Sequence, residues 1–130
     1  MPTARGTFDV DLRPVHAEEV EFRFAHLHGS KTFHGQMEGT SVVEMLSEQS
    51  AVEGSAGYVA LEQVAATIDG RKGTFVLQHF GLMDRGRSEL RVSVVPDSGT
   101  AGLRGIAGEL SIDVVDGRHD YSFEYALDPA

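Results

Sequence analysis

Residues 58–81 read Tyr58-Val-Ala-Leu-Glu-Gln-Val-Ala-Ala-Thr-Ile-Asp-Gly-Arg-Lys-Gly-Thr-Phe-Val-Leu-Gln-His-Phe-Gly81. Two arms rich in Val, Ala, Thr, Phe and Leu flank Asp69-Gly70, a pair suited to the positive backbone dihedrals of a tight hairpin turn. Side chains alternate along a strand, so the loop length decides which residues share a face. A loop of two residues (69–70) or four (69–72) puts Tyr58, Ala60, Glu62 and Val64 on the same face as Phe75, Leu77 and His79. Glu62 and His79 then become cross-strand or diagonal neighbours on an apolar surface. A three-residue loop with a bulge shifts the register by one and sets Glu62 beside Gln78 instead. The sequence leaves both registers open.

Working outward, turn-forming residues recur at His28-Gly29-Ser30, Glu53-Gly54-Ser55, Asp69-Gly70, Asp84-Arg85-Gly86, Pro96-Asp97-Ser98-Gly99 and Asp116-Gly117. Between them lie runs with a period of two. Phe8, Val10 and Leu12 alternate with polar residues, as do Val20, Phe22 and Phe24, then Phe33, Gly35, Met37 and Gly39, and finally Tyr121, Phe123, Tyr125 and Leu127. This pattern predicts half-buried strands joined by short connections. Ser41 to Gln49 also carries a helical capping-box pattern, and a short helix there competes with a strand continuing to about Leu46. We take the strand. The resulting fold class is all-β, with little or no helix and about eight antiparallel strands. A sandwich and an up-and-down barrel both fit that count, and glycines at 35, 39, 73, 105 and 108 favour the bending of a barrel.

The 130 residues form one domain, 1–130, large enough for a core without disulfides or a structural metal. There is no cysteine, which excludes a thiolate nucleophile or thiolate metal site and fits a reducing compartment. No leader or membrane-spanning run is apparent, so a cytoplasmic location is expected, with no membrane partner. A formal net charge of -9, spread along the chain, opposes nucleic-acid binding.

Several segments together resemble a bacterial family of unknown function with an allene-oxide-cyclase-like barrel. They are Gly6-Thr7-Phe8, Lys31 to Gly35, Glu38 to Ser41, Gly57-Tyr58 with Leu61-Glu62, Asp69 to Arg71 with Gly73 to His79, Pro96 to Thr100, and Leu103 to Ile106. The resemblance spans most of the chain. It implies a single eight-stranded antiparallel barrel of the lipocalin-like kind, self-associating into a homo-oligomer such as a homodimer, with a lumen that admits a small apolar molecule. The plant allene oxide cyclases hold a reactive fatty-acid epoxide in a cyclising conformation, but their catalytic residues do not map onto this chain.

Three groups of side chains carry chemical promise. In an apolar lumen Glu62 would fix one tautomer of His79 and raise its basicity, and Tyr58 would donate to a carbonyl or epoxide oxygen. These three are the candidate catalytic residues. Phe75, Leu77, Gln78 and Glu38 are candidate ligand contacts. The ordinary alternative is a buried pair that merely satisfies both polar groups. His26, His28 and His34 invite a metal reading, but no carboxylate follows at short spacing, so neither a metal nor any cofactor is assigned. The Ser98-Gly99-Thr100-Ala101-Gly102 run lacks the lysine of a phosphate-binding loop and reads as a turn. The functional expectation is a barrel that binds a small hydrophobic molecule. It would act as a cofactor-independent cyclase or isomerase, or else as a non-catalytic scaffold.

Overall fold

The computed structural model describes residues 1–15 and 24–128. Eight antiparallel strands close on themselves in sequence order: β1 (Thr3–Pro14), β2 (Ala25–Gly35), β3 (Met37–Gln49), β4 (Ala56–Ile68), β5 (Arg71–Asp84), β6 (Arg87–Val94), β7 (Ala107–Val115) and β8 (Arg118–Ala126). The only helical element among the described residues is a single 3-10 turn, Ala101–Leu103. The expected fold class and the barrel architecture are therefore both present. Segment 41–49 is strand throughout, so its period of two prevails over the capping-box pattern.

The central hairpin has the two-residue loop. Ile68 pairs with Arg71, and Asp69 and Gly70 carry φ of 51° and 73°, the left-handed geometry a primed turn requires. That register sets Glu62 opposite Leu77 and Ala60 opposite His79, with all four facing the lumen.

Two expectations are corrected. His28-Gly29-Ser30 is not a turn but lies inside β2, paired with β1 and β3. Glycine stands at 29 because Leu12 packs against it: a Cβ there would come within 2.3 Å of Leu12 Cδ2. The turn instead falls at Gly35-Gln36. Phe33 and Met37 both keep facing inward across it, which is why one continuous alternation seemed to run through. Gly105 lies in the turn after the 3-10 helix and not in a strand. Val20 and Phe22 of another expected strand lie outside the described residues.

One end of the barrel is solid. Phe33, Met37, Ile68, Phe75, Leu103 and Phe123 are essentially inaccessible to solvent, and Phe75 stacks on Phe123 with ring centres 5.8 Å apart. The connection from β6 to β7 crosses this end. It is strapped to β5 by Thr74 and Thr100, whose hydroxyl oxygens lie 2.6 Å apart, and by the Val76 amide donating to Ser98 Oγ at 3.0 Å. Tyr121 anchors the tip of the β2–β3 hairpin there, its hydroxyl oxygen accepting from the Met37 amide at 3.0 Å. Among the described residues the opposite end has no such plug.

Candidate functional site

Midway along the lumen four polar side chains from four adjacent strands converge: Lys31 (β2), Ser41 (β3), Glu62 (β4) and His79 (β5). Glu62 is 0% exposed and His79 4%. Lys31 Nζ donates to Glu62 Oε1 at 3.0 Å, and Ser41 Oγ donates to Oε2 at 2.5 Å. His79 Nε2 lies 2.7 Å from Oε1. Lys31 also sits 4.6 Å from the centre of the Phe8 ring, a cation–π contact that further compensates its lost hydration.

Burial alone would push the Glu62 carboxyl up. The hydrogen bond from His79, the charge of Lys31, the hydrogen bond from Ser41 and the charge of His79 outweigh it and hold the group below the usual carboxylate range. The carboxylate is thus ionised and can only accept, so the His79 nitrogen facing it carries the proton. The other ring nitrogen, Nδ1, has no partner among the described residues. Glu62 therefore orients the imidazole and fixes its tautomer, leaving Nδ1 unprotonated.

Above this quartet the barrel opens into a cavity of about 430 Å³, lined by Met45, Tyr58, Gly81, Leu90 and Ile112, with Glu48, Glu89 and others at the rim. Tyr58 links the two regions, its ring centre 6.5 Å from that of His79. The ring fits because residue 81 is glycine: a Cβ at that position would lie 2.1 Å from Tyr58 Cε1. Partial burial, and then the charge of Glu62, raise the Tyr58 hydroxyl above its ordinary pKa, so it stays protonated as a donor. It makes no hydrogen bond to the described residues. A hydroxyl donor thus lines an apolar space, with the imidazole of His79 beside it.

The structure brings Tyr58, Glu62 and His79 together and separates the other candidates from them. Phe75 and Leu77 face inward but are packed into the solid end, away from the cavity. Gln78 points outward, as the two-residue register requires of an even-numbered position on β5. Glu38 is exposed on the outer face, where its Oε1 accepts from the Gly35 amide at 3.0 Å. Lys31 and Ser41 were missed as site residues. They continue the inward parity of Phe33, Met37 and Gly39, and that parity was the available signal.

The histidine cluster lies elsewhere. His26 Nε2 and His28 Nδ1 contact the two oxygens of Glu44 on the outer face, at 2.7 and 2.5 Å, and His34 Nε2 lies 3.1 Å from Asp9. The carboxylate that sequence spacing could not supply comes from the neighbouring strand, where Glu44 pairs with His28. Among the described residues no group of three or more His, Cys, Asp or Glu is placed to hold a metal ion. Among the described residues no helix is long and apolar enough to cross a membrane.

A comparison with curated proteins found no match. Among solved structures, the chain is similar to a crystal structure, at 1.84 Å, of a protein of unknown function of the DUF3224 family from Shewanella oneidensis MR-1. The two are 44% identical, and the match covers 100% of this chain and 99% of that one with a TM-score of 0.91. Residues 4–125 match the family described as protein of unknown function DUF3224, and the chain belongs to that family.

Proposed function

We propose that the barrel binds a small, largely apolar molecule at its open end and polarises one oxygen of that molecule with Tyr58. The observation that carries this reading is the juxtaposition of an apolar cavity with the unengaged hydroxyl of Tyr58, whose ring stands 6.5 Å from the Glu62-bound imidazole of His79. A volume of about 430 Å³ falls within the range of small-molecule sites, which combine apolar walls with a few convergent polar groups. The reaction class that suits this equipment is cofactor-independent cyclisation or isomerisation. The walls restrict the ligand's conformations, Tyr58 donates to a carbonyl or epoxide oxygen, and His79 accepts a proton through Nδ1. Glu62 acts as a positioning residue, and Lys31 and Ser41 keep it ionised. The absence of cysteine suits a reducing compartment, and we place the activity in the cytoplasm.

Native mass spectrometry of freshly purified protein, alone and after incubation with medium-chain fatty acids and their epoxides, tests the reading. An adduct on the wild type that weakens about tenfold in Tyr58→Phe is expected, the size of one lost hydrogen bond to a ligand. Bare protein under all these conditions would return the lumen to a purely structural role.

A further inference from the structure

The cavity at the open end has a charge pattern that narrows the class of molecule it can take. Among the described residues its lumen-facing lining, Met45, Ser47, Tyr58, Leu90 and Ile112 included, is uncharged. The two charged residues at its border, Glu48 and Glu89, are both acidic, exposed, and on the outward parity of β3 and β6. Lys31, buried deeper in the barrel, is already committed: its Nζ donates to Glu62 Oε1 at 3.0 Å and lies over the Phe8 ring. His119 stacks on the other side of this neighbourhood, against Phe8, and neither it nor Lys31 lines the cavity. The arginines at this end stand outside the lumen. Arg13 and Arg118 pair with Asp11 and Asp120, Arg87 is exposed opposite Asp84, and Arg85 lies in the β5–β6 turn.

We infer that the oxygen held at Tyr58 is uncharged, the carbonyl of a ketone or aldehyde or the oxygen of an epoxide, and that a carboxylate is excluded from that position. The assignment rests on the ligand-binding reading above and makes the ligand a neutral oxygenated hydrocarbon. An oxygen that reaches the Tyr58 hydroxyl gives up water and gains one donor. For a carbonyl or an epoxide one donor suffices. A carboxylate carries a full charge and about four acceptor sites, and enclosing it without a counter-ion costs far more than one hydrogen bond returns.

The surroundings of the hydroxyl act in the same direction. Partial burial, and then the charge of Glu62, disfavour a phenolate at Tyr58, and a ligand carboxylate there would meet both. The chain's net charge of -9 offers no compensation from a distance. An acid therefore enters tail first and leaves its carboxylate in water at the mouth. In an epoxy acid the epoxide oxygen takes the place beside Tyr58.

Calorimetric titration with two probes matched in chain length, methyl octyl ketone and decanoate, tests this at about pH 8, where the acid is ionised. The ketone is expected to bind about tenfold or more tightly than decanoate. Tyr58→Phe should weaken the ketone about tenfold and leave the acid unchanged. Ser47 stands directly across from Tyr58, so Ser47→Arg sets a cation beside the hydroxyl. It is expected to tighten decanoate about tenfold or more, with little change for the ketone. Ser88→Lys, exposed at the same cavity, repeats the test should the first variant disturb folding as read by circular dichroism. Decanoate that binds as tightly as the ketone and loses affinity in Tyr58→Phe would overturn the assignment while leaving the cavity a ligand site. So would a ketone preference that Tyr58→Phe does not touch. Binding of neither probe would defeat the ligand-binding reading itself, and the assignment with it.

Discussion

The two ends of this barrel are built from the same alternation and come to opposite results. At one end inward residues such as Phe33, Ile68, Phe75 and Phe123 meet in a sealed core; at the other, Leu12 and Leu90 hold the same inward parity and remain exposed. The difference lies in what covers each end. The connection between β6 and β7 folds across the first, with its Leu103 fully buried, and among the described residues nothing equivalent caps the second. The strand seams differ in the same sense. β3 pairs with β4 over thirteen residues, from Met37 to Gln49, whereas β6 meets β7 only at Val92–Leu110 and Ser93–Glu109. Beyond those two pairs, toward the open end, β6 and β7 part, and Leu90 and Ile112 line the cavity on either side of the gap. Inward parity therefore makes a residue a core residue only where something closes the lumen over it.

The contrast predicts unequal costs for the same kind of truncation. Phe123→Ala at the sealed end is expected to destabilise by about 3–5 kcal/mol, since the stacked Phe75 has nowhere to relax. Leu90→Ala at the open end should cost less than about 1 kcal/mol, because its side chain is already 42% exposed. Urea denaturation midpoints of the two variants measure the difference, and equal costs would break the comparison.

The polar quartet at the boundary comes next in magnitude. Glu62→Gln leaves Lys31 without its counter-charge and is expected to cost about 3 kcal/mol at neutral pH, as loss of one partner in a buried ion pair does. Because the fold lowers the pKa of Glu62 below 4.5, its value in an unfolded chain, the carboxylate's contribution is complete above that pH. As pH falls further, the unfolded chain takes up a proton before the folded one does, and the contribution fades through the lowered folded pKa. The stability gap between wild type and Glu62→Gln should therefore narrow below pH 4.5. A gap that does not change with pH would mean that the charge of Glu62 adds nothing and only its packing matters.

How much of this was legible follows from where the information resides. The barrel and the pairing of Glu62 with His79 were within reach, because Asp69-Gly70 is a turn whose backbone demands are local and because parity carries across a two-residue loop. Lys31 and Ser41 were not, since their arrival at Glu62 depends on how β2 pairs with β3 and β3 with β4, registers set by a turn at Gly35-Gln36 with no strong turn dipeptide and by the longer connection between Gln49 and Ala56. Glu44 joined His26 and His28 for the same non-local reason. Gln78 and Glu38 illustrate the converse: once the register is known, parity alone places them outside.

The smallest expected effect tests whether the open end is shaped for a ligand or is merely unfinished. Gly81 admits the Tyr58 ring, and a methyl group there would stand 2.1 Å from Cε1. Gly81→Ala should therefore turn the ring out of its place, lower the affinity of an apolar fluorescent probe about tenfold and cost about 1 kcal/mol of stability. Ordinarily an alanine replacing glycine within a strand narrows the unfolded ensemble and stabilises where the backbone permits it. The residue at fault can thus be identified by a double-mutant cycle. In a Tyr58→Ala background the added methyl group has no ring to displace, and Gly81→Ala should become neutral or stabilising. A penalty that persists without the tyrosine would show that Gly81 serves the bend of β5. Its disappearance would show that this glycine is kept for the sake of the side chain poised above His79.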